Sequence, residues 1–407
     1  MFLNIALSVP EWGLKEMSGI WKYPLFLKKE GTGIRRKLEE RICQKLRVKY
    51  CIATSLGRES VYLALHALGL RGGEGVILPS YVCGSVLEPI VRLGGIPQYV
   101  DIGEDLNIDP ASVMQRIDGR TRIILLPHLF GKSGPIDSIM KIAHENSIFV
   151  IDDAAQALGG KSGDRYLGTI GDCGILSFGP FKGVMATRGG AFLTNNEDIY
   201  RRAKEVKLQE PPPREGVKRF LKYIVKFRLR KYSYFLIEKN KIRQEMETGL
   251  GEKREPLLEF PMKKMSLLDA EIANWQLDKL NEIVRKRVEI AGKLFKRIED
   301  IQEIDLPLGK SNEDVFSKFI VLVKRKRMDQ YSTPAESLVA YLRHYRIESE
   351  PWCYIPLHLK AKSSNSIELK NTERLWERVV GLPVHTKMTD SDVLYMSKVL
   401  RNYFTEL

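Results

Sequence analysis

Short apolar runs alternate with helical patterns between residues 50 and 196. The runs are rich in Ile, Val, Leu and Phe, as strands buried on both faces usually are. They predict strands at Gly75–Leu78, Pro97–Val100, Ile123–Pro127, Ile148–Ile151, Gly174–Phe178 and Ala191–Thr194. Between them, apolar residues recur with the helical period at Arg58–Leu68 and Ile136–Glu145. This alternation predicts an open α/β sheet with helices on both faces.

The alternation stops at a basic segment, residues 209–255. Pro211, Pro212 and Pro213 end any preceding helix. Basic residues then recur at every fourth position, at Lys218, Lys222, Lys226 and Arg230. The apolar residues of the same stretch predict the opposite face of a helix, formed by Val217, Phe220, Leu221, Ile224 and Val225. We therefore predict a basic amphipathic insert here.

The remaining chain predicts a second, smaller domain. A long helical pattern follows Ser266 and runs to about Lys296. A strand at Phe316–Val323 comes next, and two further helices are expected at Pro334–Tyr345 and Asp390–Tyr403. We therefore assign residues 39–208 to a large domain, 209–255 to the insert and 256–407 to a small α+β domain. Residues 1–38 are expected to pack with the small domain.

Composition and charge narrow the range of partners. The chain has 407 residues, of which 43% are hydrophobic, and its formal net charge is +14. Such a charge favours nucleotides, sugar phosphates, nucleic acid or acidic lipid as partners, or simply marks a solvated basic surface. The five cysteines are scattered and form no C-x-x-C pair, so neither a disulfide framework nor a metal site is expected. No apolar run approaches the roughly 20 residues of a membrane span, and a cytoplasmic location is expected.

Two candidate features lie at the ends of predicted elements. A small-residue turn, Ser55-Leu56-Gly57, opens a helix, where backbone N–H groups and the helix dipole can bind a phosphate. The strand Ile148–Ile151 runs into Asp152 and Asp153, and ligands of open α/β sheets bind at the carboxyl ends of the strands. An acid there could pair with a cationic ring nitrogen, coordinate a metal or cap a helix. A turn of this kind can also be purely structural.

Lys182 is the third candidate. It lies five residues after Ser177, on a loop that follows the predicted strand Gly174–Phe178. A lysine amine that is desolvated or placed near other cations becomes neutral and nucleophilic, as a Schiff-base lysine must be. A lone lysine is more often a solvated surface charge.

The motifs together resemble one known family. They occur in a single order, as Asp153-Ala154-Ala155-Gln156, Gly168-Thr169-Ile170-Gly171-Asp172, Ser177 to Lys182, and Gly189-Gly190. This order is similar to the DegT/StrS-type sugar aminotransferases, which depend on pyridoxal 5′-phosphate (PLP) and have the aspartate-aminotransferase (type I) fold. The resemblance covers nearly the whole chain except the insert. It implies a large mixed-sheet α/β/α domain and a smaller α+β C-terminal domain.

The resemblance also implies roles for individual residues. Lys182 matches the lysine that binds PLP covalently and moves a proton during the reaction. Asp153 matches the acid that keeps the ring nitrogen protonated, and Gln156 matches the amide near the phenolic oxygen of the ring. The phosphate would be held by Ser177 and by the backbone of Gly57, Arg58 and Glu59. An amino acid, expected to be glutamate, would donate the amine to a nucleotide-linked keto-sugar, and a homodimer is expected with its active sites at the interface.

Three residues depart from the family pattern. Arg58 occupies a position that is usually Thr, and its charge can still bind phosphate. Cys83 stands where an aromatic ring usually stacks on the cofactor, and a thiol can pack there instead, or nearby Tyr81 could take over. Met262 replaces an Asn that the partner subunit usually supplies.

Alternatives to an aminotransferase remain. PLP-dependent sugar dehydratases share the fold but replace the lysine by His, whereas this chain has Lys182. A catalytically idle PLP-fold sensor or scaffold with a lipid-binding insert is a further alternative, although Asp153 and Lys182 are both present. Residues 217–237 of the insert are expected either to rest on anionic lipid, as a peripheral membrane contact, or to form a flap over the active site. Nucleic acid is not an expected partner, because no recognition motif accompanies the charge.

Overall fold

A mixed sheet of seven strands forms the centre of the large domain. The computed structural model describes residues 4–12, 31–212, 215–225, 260–309, 314–325, 327, 329–351, 354–360 and 368–405. The sheet consists of β1 (Tyr50–Thr54), β2 (Gly75–Pro79), β3 (Ile96–Val100), β4 (Thr121–Pro127), β5 (Phe149–Asp153), β8 (Cys173–Ser177) and β9 (Gly190–Thr194). A small hairpin, β6 (Lys161–Ser162) and β7 (Arg165–Tyr166), precedes β8. The six predicted strands are confirmed, with ends that differ by at most two residues, and β1 was missed.

The strand order is β1-β9-β8-β5-β4-β2-β3. Strands β3, β2, β4, β5 and β8 run parallel, β9 is antiparallel to β8, and β1 is antiparallel to β9. The carboxyl ends of β5 and β8 therefore meet at one edge of the sheet.

Alternating side chains cover both faces of the sheet. Ile123 and Leu125 of β4 pack in one hydrophobic cluster, whereas Ile124 and Leu126 pack in another on the opposite face, as the two-residue period of a strand requires. The helices around this sheet are α1 (Gly31–Leu46), α2 (Gly57–Ala67), α3 (Leu87–Arg92), α4 (Pro110–Arg116), α5 (Ile136–Glu145) and α6 (Glu197–Glu205). Burial on both faces explains why the strands read as nearly continuous apolar runs.

The small domain contains a four-stranded antiparallel sheet in the order β10-β11-β13-β12. Its strands are β10 (Ile304–Asp305), β11 (Phe319–Val323), β12 (Glu350–Pro351) and β13 (Val379–Leu382). Its helices are α10 (Pro334–His344), α11 (Leu357–Lys360), α12 (Lys370–Leu375) and α13 (Asp390–Thr405). Helix α10 begins with a capping box, in which Thr333 accepts from the backbone of Glu336 and the Glu336 side chain returns to Thr333. The α/β large domain and the α+β small domain agree with the predicted fold class.

Two predicted elements differ from the observed ones. The single helix expected from Ser266 to Lys296 is two helices, α8 (Leu267–Asp278) and α9 (Leu280–Ile298), separated at Lys279. The strand expected from Phe316 begins only at Phe319, because the backbone N–H groups of Val315 and Ser317 are bonded to the large domain, at Gly131 and Phe130. The late start of the strand thus reflects long-range contacts that have no local signal.

Helix α8 packs against the part of the chain that carries Lys182. The side chain of Gln276 accepts from the backbone N–H of Met185 at 3.0 Å and donates to its carbonyl at 2.5 Å. Arg41 of α1 donates to the carbonyl of Asn274 at 2.6 Å. Helix α8 therefore supports the loop after β8, although the sequence assigned it to the small domain.

The N-terminal residues lie on the small domain. The backbone of Ile5 accepts from the N–H of Glu348 at 2.9 Å and donates to the carbonyl of Arg346 at 3.0 Å. His385 is bonded through Nε2 to the carbonyl of Ala6 at 2.9 Å. Residues 4–7 thus add a short extension along the segment that leads into β12.

The described part of the insert begins with a helix, residues 215–225, which we call α7. Phe220 is fully buried, and Val217 and Ile224 pack beside it in the core formed with α1 and α8. The sequence analysis predicted Leu221 and Val225 on this apolar face, but they are 50% and 55% exposed and lie outside the packed face. The remainder of the predicted amphipathic stretch, residues 226–237, lies outside the described residues. In the portion of the chain that the structure covers, no helix has the length and apolar character of a membrane span.

Candidate active site

Lys182 lies on the loop after β8. The residue before it, Phe181, has a φ of +66°, in the left-handed region that non-glycine residues seldom adopt. Burial lowers the pKa of Lys182 and the nearby ammonium of Lys318 lowers it further, while Asp153 and Glu350 oppose the shift. The loop therefore holds an amine that loses its proton more readily than an exposed lysine does.

Asp153 ends β5, the strand beside β8, and is 7% exposed. Its Oδ1 atom accepts a hydrogen bond from the backbone N–H of Ala155 at 2.9 Å. Burial raises the pKa of Asp153, while the hydrogen bond from Ala155 and the charge of Lys182 favour the ionised form. A buried carboxylate next to an amine is suited to pair with a cationic group placed between the two strands.

The neighbouring acid, Asp152, is already satisfied. The backbone N–H of Gly134 donates to Nδ1 of His128 at 2.9 Å, so Nε2 carries the proton of the neutral ring and donates to Asp152 Oδ1 at 2.6 Å. The second oxygen, Oδ2, accepts from the N–H of Ile170 at 2.9 Å. Both Asp152 and His128 are buried. These bonds hold Asp152 at the end of β5. Asp153 is therefore the acid that interacts electrostatically with Lys182.

The turn before α2 closely approaches the end of β8. A Cβ atom added to Gly57 would lie 3.4 Å from Cβ and 3.5 Å from Oγ of Ser177. A Cβ added to Gly190 would lie 2.7 Å from the backbone nitrogen of Gly57, a distance that only glycine allows. The first N–H groups of α2, at Gly57 and Arg58, have no intrahelical acceptor. A hydroxyl and a helix N-terminus thus meet here, as in many phosphate sites.

Glu59 and Arg58 shape this turn through their side chains. Glu59 is fully buried, and its carboxylate accepts from the N–H of Ser55 at 2.8 Å and from that of Leu56 at 3.2 Å. Burial raises the pKa of Glu59 to about 7. Arg58 forms an ion pair with Glu88, so its guanidinium group is held on the α3 side of the turn.

Gln156 connects the large domain to the small one. Its Oε1 atom accepts from the N–H of Phe130 at 3.3 Å and from the hydroxyl of Ser317 at 3.4 Å. Its Nε2 atom donates to the hydroxyl of Tyr354 at 2.9 Å. The predicted site residue therefore lies where segments of both domains meet.

Cys83 and Tyr81 have different surroundings. Cys83 is exposed, lies 3.1 Å from Ser85 Oγ through its Sγ atom, and interacts electrostatically with Lys182. Tyr81 is fully buried, and its ring centroid is 5.6 Å from that of Tyr354. The thiol of Cys83 is thus the more exposed of the two side chains, whereas Tyr81 is part of the hydrophobic core.

Two charged residues that the sequence did not indicate interact electrostatically with Lys182. Lys318 precedes β11, and its Nζ atom lies 5.9 Å from the ring centroid of Phe181. Glu350 begins β12 and pairs with Lys318 at 2.8 Å. A charged residue next to an apolar strand was the only local signal, and the approach to Lys182 depends on how the two domains pack.

Known proteins with similar sequences and folds identify the family of this chain. The model of the DegT/DnrJ/EryC1/StrS aminotransferase family matches residues 29–401. The chain belongs to this family. As a DegT-family protein it is a PLP-dependent aminotransferase with the α/β type I fold, and the predicted family, enzyme class and cofactor are confirmed.

The DegT-family chain is similar to proteins of several bacteria. It is 23% identical over 380 residues to the GDP-perosamine synthase of Vibrio cholerae, and the match covers 90% of each chain. Its fold is similar to Helicobacter pylori PseC, an aminotransferase involved in the biosynthesis of pseudoaminic acid, with a TM-score of 0.78, 18% identity and coverage of 99% and 100%. The GDP-4-keto-6-deoxy-D-mannose-3-dehydratase of E coli has a TM-score of 0.77 at 20% identity, with coverage of 98% and 100%. The fold is therefore shared by enzymes of different activities.

Proposed function

We propose that this enzyme transfers an amino group from glutamate to a nucleotide-linked keto-sugar, with Lys182 as its catalytic lysine. The observation that carries the proposal is the buried carboxyl of Asp153 at the end of β5 together with the partly buried amine of Lys182 on the loop after β8. Burial raises the pKa of the Asp153 carboxyl and lowers the pKa of the Lys182 amine. Shifted titratable groups that meet in this way are typical of catalytic sites.

The residues present fit PLP, which has an aldehyde, a ring nitrogen and a phosphate to be bound. Lys182 supplies an amine for the aldehyde, and Asp153 supplies a buried carboxylate for the protonated ring nitrogen. Ser177 and the start of α2 at Gly57 supply a hydroxyl and N–H groups for the phosphate. When bound, the cofactor acts as an electron sink for the bonds of the substrate carbon.

The protein's own groups would then hold and move protons. Nζ of Lys182, which its surroundings bias toward the neutral form, would take the proton from Cα of the donor and deliver it to the C4′ position of the bound PLP. It would move a proton in the reverse direction when the keto-sugar reacts. Asp153 would stay ionised against a cation, because the hydrogen bond from Ala155 favours its charged form. The His128–Asp152 pair would keep the end of β5 in place.

The proposed acceptor is supported by charge and by the relatives. The net charge of +14 attracts anionic substrates such as nucleotide diphosphates. Among the relatives, GDP-perosamine synthase carries the name of a nucleotide-linked amino sugar. Within the same fold, the proposed aminotransferase differs from the dehydratases by Lys182, which those enzymes replace by His.

Absorption spectra of the purified holoenzyme test the proposed donor half-reaction. We expect a cofactor band at roughly 410–430 nm that bleaches when L-glutamate is added. The Lys182→Ala variant should lose both the lysine-linked band and the response to glutamate. Lys141→Ala, which changes an exposed lysine of α5, is the control and should behave as the wild type. A wild-type protein that takes up no PLP, or takes it up but reacts with no amino acid, would refute the proposal.

We further propose that the enzyme is a homodimer in the cytoplasm, with each active site completed by the partner. The resemblance to the family supports this, since its members pair across the cofactor sites. Sedimentation of the purified protein should show a dimer, and dilution below the dissociation constant should reduce the activity per mole. A monomer with full activity would contradict the dimer.

A peripheral contact with anionic membranes is the third part of the proposal. Lys218 and Lys222 are exposed on α7 beside Leu221 and Val225, and the sequence of residues 217–237 contains no acidic residue. Basic and apolar side chains on one outer face suit an anionic bilayer surface.

Flotation with liposomes tests the membrane contact. We expect the protein to float with vesicles that contain phosphatidylglycerol and not with vesicles of phosphatidylcholine alone. Lys218→Glu/Lys222→Glu should abolish flotation, whereas the control Lys141→Glu/Lys296→Glu, at exposed sites elsewhere, should not. If both double variants float equally well, the contact does not lie on α7.

A further inference from the structure

A shielded ion pair lies beside Lys182, on the side of the small domain. Nζ of Lys318 donates to both carboxylate oxygens of Glu350, at 2.8 Å each. Their side chains are only 11% and 29% exposed. Lys318 also lies over the ring of Phe181, the residue next to Lys182, and both members of the pair act electrostatically on Lys182. Two charges of the small domain thus lie next to the loop that carries Lys182.

Stability alone does not account for such a pair. Removing two charges from water costs free energy that the pair recovers only in part, and apolar side chains of similar size would often serve better. Lys318 directly precedes β11, whose residues Phe319–Val323 are all apolar and buried. A shielded charge pair next to a reacting group is instead a candidate for substrate recognition.

The position of Lys318 selects the kind of anion. In an amino-acid donor, the α-carboxylate is attached to the same carbon as the amine, so it must lie within a few ångströms of Lys182 when the amine reacts. In a nucleotide-linked sugar, the phosphates lie beyond the hexose ring and are farther from the reacting carbon. A cation over the ring of Phe181, the residue before Lys182, therefore suits a carboxylate of the donor.

Glu350 can balance the charge of Lys318 while the second substrate is bound. The same site must later hold a keto-sugar, which has no carboxylate at this position, and a shielded ammonium group needs a counter-charge at that stage. A lysine ammonium has three rotatable donors on a flexible stem. It can therefore turn from Glu350 toward a carboxylate and back again.

We propose that Lys318 determines donor specificity by binding the α-carboxylate of the amino-acid donor, and that Glu350 is its counter-charge while the sugar is bound. The inference rests on the proposed function, because it needs an amino-acid donor and a sugar acceptor that alternate in one site.

Two donors that differ only at the α-carboxylate test this role. L-Glutamate and L-isoglutamine, its α-amide, share the side chain and the reacting amine. The variant Lys318→Gln/Glu350→Gln keeps a polar neutral pair and leaves no unpaired charge. In stopped-flow measurements of the half-reaction, we expect its apparent Kd for L-glutamate to rise about 10–100-fold, as for a lost charge-assisted hydrogen bond. Its apparent Kd for L-isoglutamine should change by less than about threefold.

Single variants and an unreactive ligand complete the experiment. Glu350→Gln removes the counter-charge that competes with the substrate for Lys318 and should lower the apparent Kd for L-glutamate, and Lys318→Arg should keep most of the discrimination. Calorimetric titration of the holoenzyme with 2-oxoglutarate, which has the carboxylate but no amine, should show weaker binding to the double variant by a similar factor. Equal effects on both donors, or an unchanged Kd for L-glutamate, would overturn the role of Lys318. A wild-type enzyme that reacts with no amino acid would instead overturn the proposed function.

Discussion

Single buried groups set much of the local electrostatics of this enzyme. Asp152 and Asp153 are adjacent, yet one is bonded to His128 and Ile170 while the other lies next to Lys182. Two further buried groups, Glu59 in the turn before α2 and His385 under the N-terminal residues, have strongly shifted pKa values in opposite directions. Their effects on stability therefore oppose each other across the same pH range.

Glu59 should make the protein less stable as the pH rises. Its pKa is raised by burial to about 7, so between the unfolded value of about 4.5 and pH 7 the folded state binds more protons than the unfolded state. This contribution to the free energy of unfolding is present below pH 4.5 and declines, by up to about 3 kcal/mol, as the pH rises through 7. In urea unfolding at pH 5 and pH 8, Glu59→Gln should lack this decline of the unfolding free energy. The exposed control Glu145→Gln should keep the wild-type dependence, and a wild-type dependence in Glu59→Gln would disprove the assignment.

His385 should have the opposite effect. Burial lowers its pKa to about 4, so the unfolded state binds the proton first as the pH falls below its ordinary value of about 6.5. Stability from this group is present above pH 6.5 and is lost, by up to about 3 kcal/mol, as the pH falls to 4. His385→Asn should be less stable than the wild type at pH 7 but lose less on acidification. The control is His144→Asn, at an exposed histidine. If both variants lose the same unfolding free energy on acidification, His385 does not cause the acid sensitivity.

At the scale of elements, α7 is attached to the loop that carries Lys182. Arg219 forms an ion pair with Asp269 at 2.8 Å and donates to the hydroxyl of Thr187 at 3.3 Å. Asp269 is itself buried at the start of α8 and accepts from the N–H and the hydroxyl of Thr187. The first helix of the basic insert is thus part of the support of the loop after Lys182.

Arg219→Ala should destabilise this support. Asp269 would keep its hydrogen bonds to Thr187 and Ser266 but lose its cation, so we expect a loss of about 1–3 kcal/mol in the free energy of unfolding. Lys218→Ala, next to it on the exposed face of α7, should change stability by less than about 0.5 kcal/mol. Chemical unfolding of both variants makes the comparison. Equal stability of Arg219→Ala and the wild type would show that the ion pair contributes nothing.

For the whole molecule, the site depends on contact between the domains. Gln156 of the large domain is bonded to Ser317 and Tyr354 of the small domain, and the Lys318–Glu350 pair approaches Lys182 from the same side. A change in how the domains pack would therefore alter the cofactor end and the substrate end of the site together.

Tyr354→Phe should loosen this contact. The substitution removes the hydroxyl that accepts from Gln156 Nε2 at 2.9 Å, a bond worth about 1 kcal/mol. If Gln156 helps to hold PLP, cofactor loss during dialysis should be about fivefold faster in the variant. Tyr345→Phe, at a half-buried tyrosine of the same domain, is the control. Identical rates in all three proteins would exclude a role of the contact in retaining the cofactor.

The sequence alone determined the features that local patterns encode. Apolar runs identified six strands because both faces of the sheet are buried, and the order of short motifs identified the family, the cofactor and Lys182 as the candidate lysine. The helical pattern located α10 within one residue of its observed end. Each of these signals lies within a few neighbouring positions of the chain.

Only the tertiary structure decided features that depend on distant residues. The order of motifs singled out Asp153, but only the structure shows that Asp152 is bonded to His128 and that Asp153 interacts electrostatically with Lys182. The tertiary structure also turned Leu221 and Val225 of α7 outward, because Phe220 and Arg219 fix the packed face through contacts with α8 and the loop after β8. The Lys318–Glu350 pair reaches Lys182 for a similar reason, since more than 100 residues separate it from that lysine and only the packing of the domains brings the three charges together.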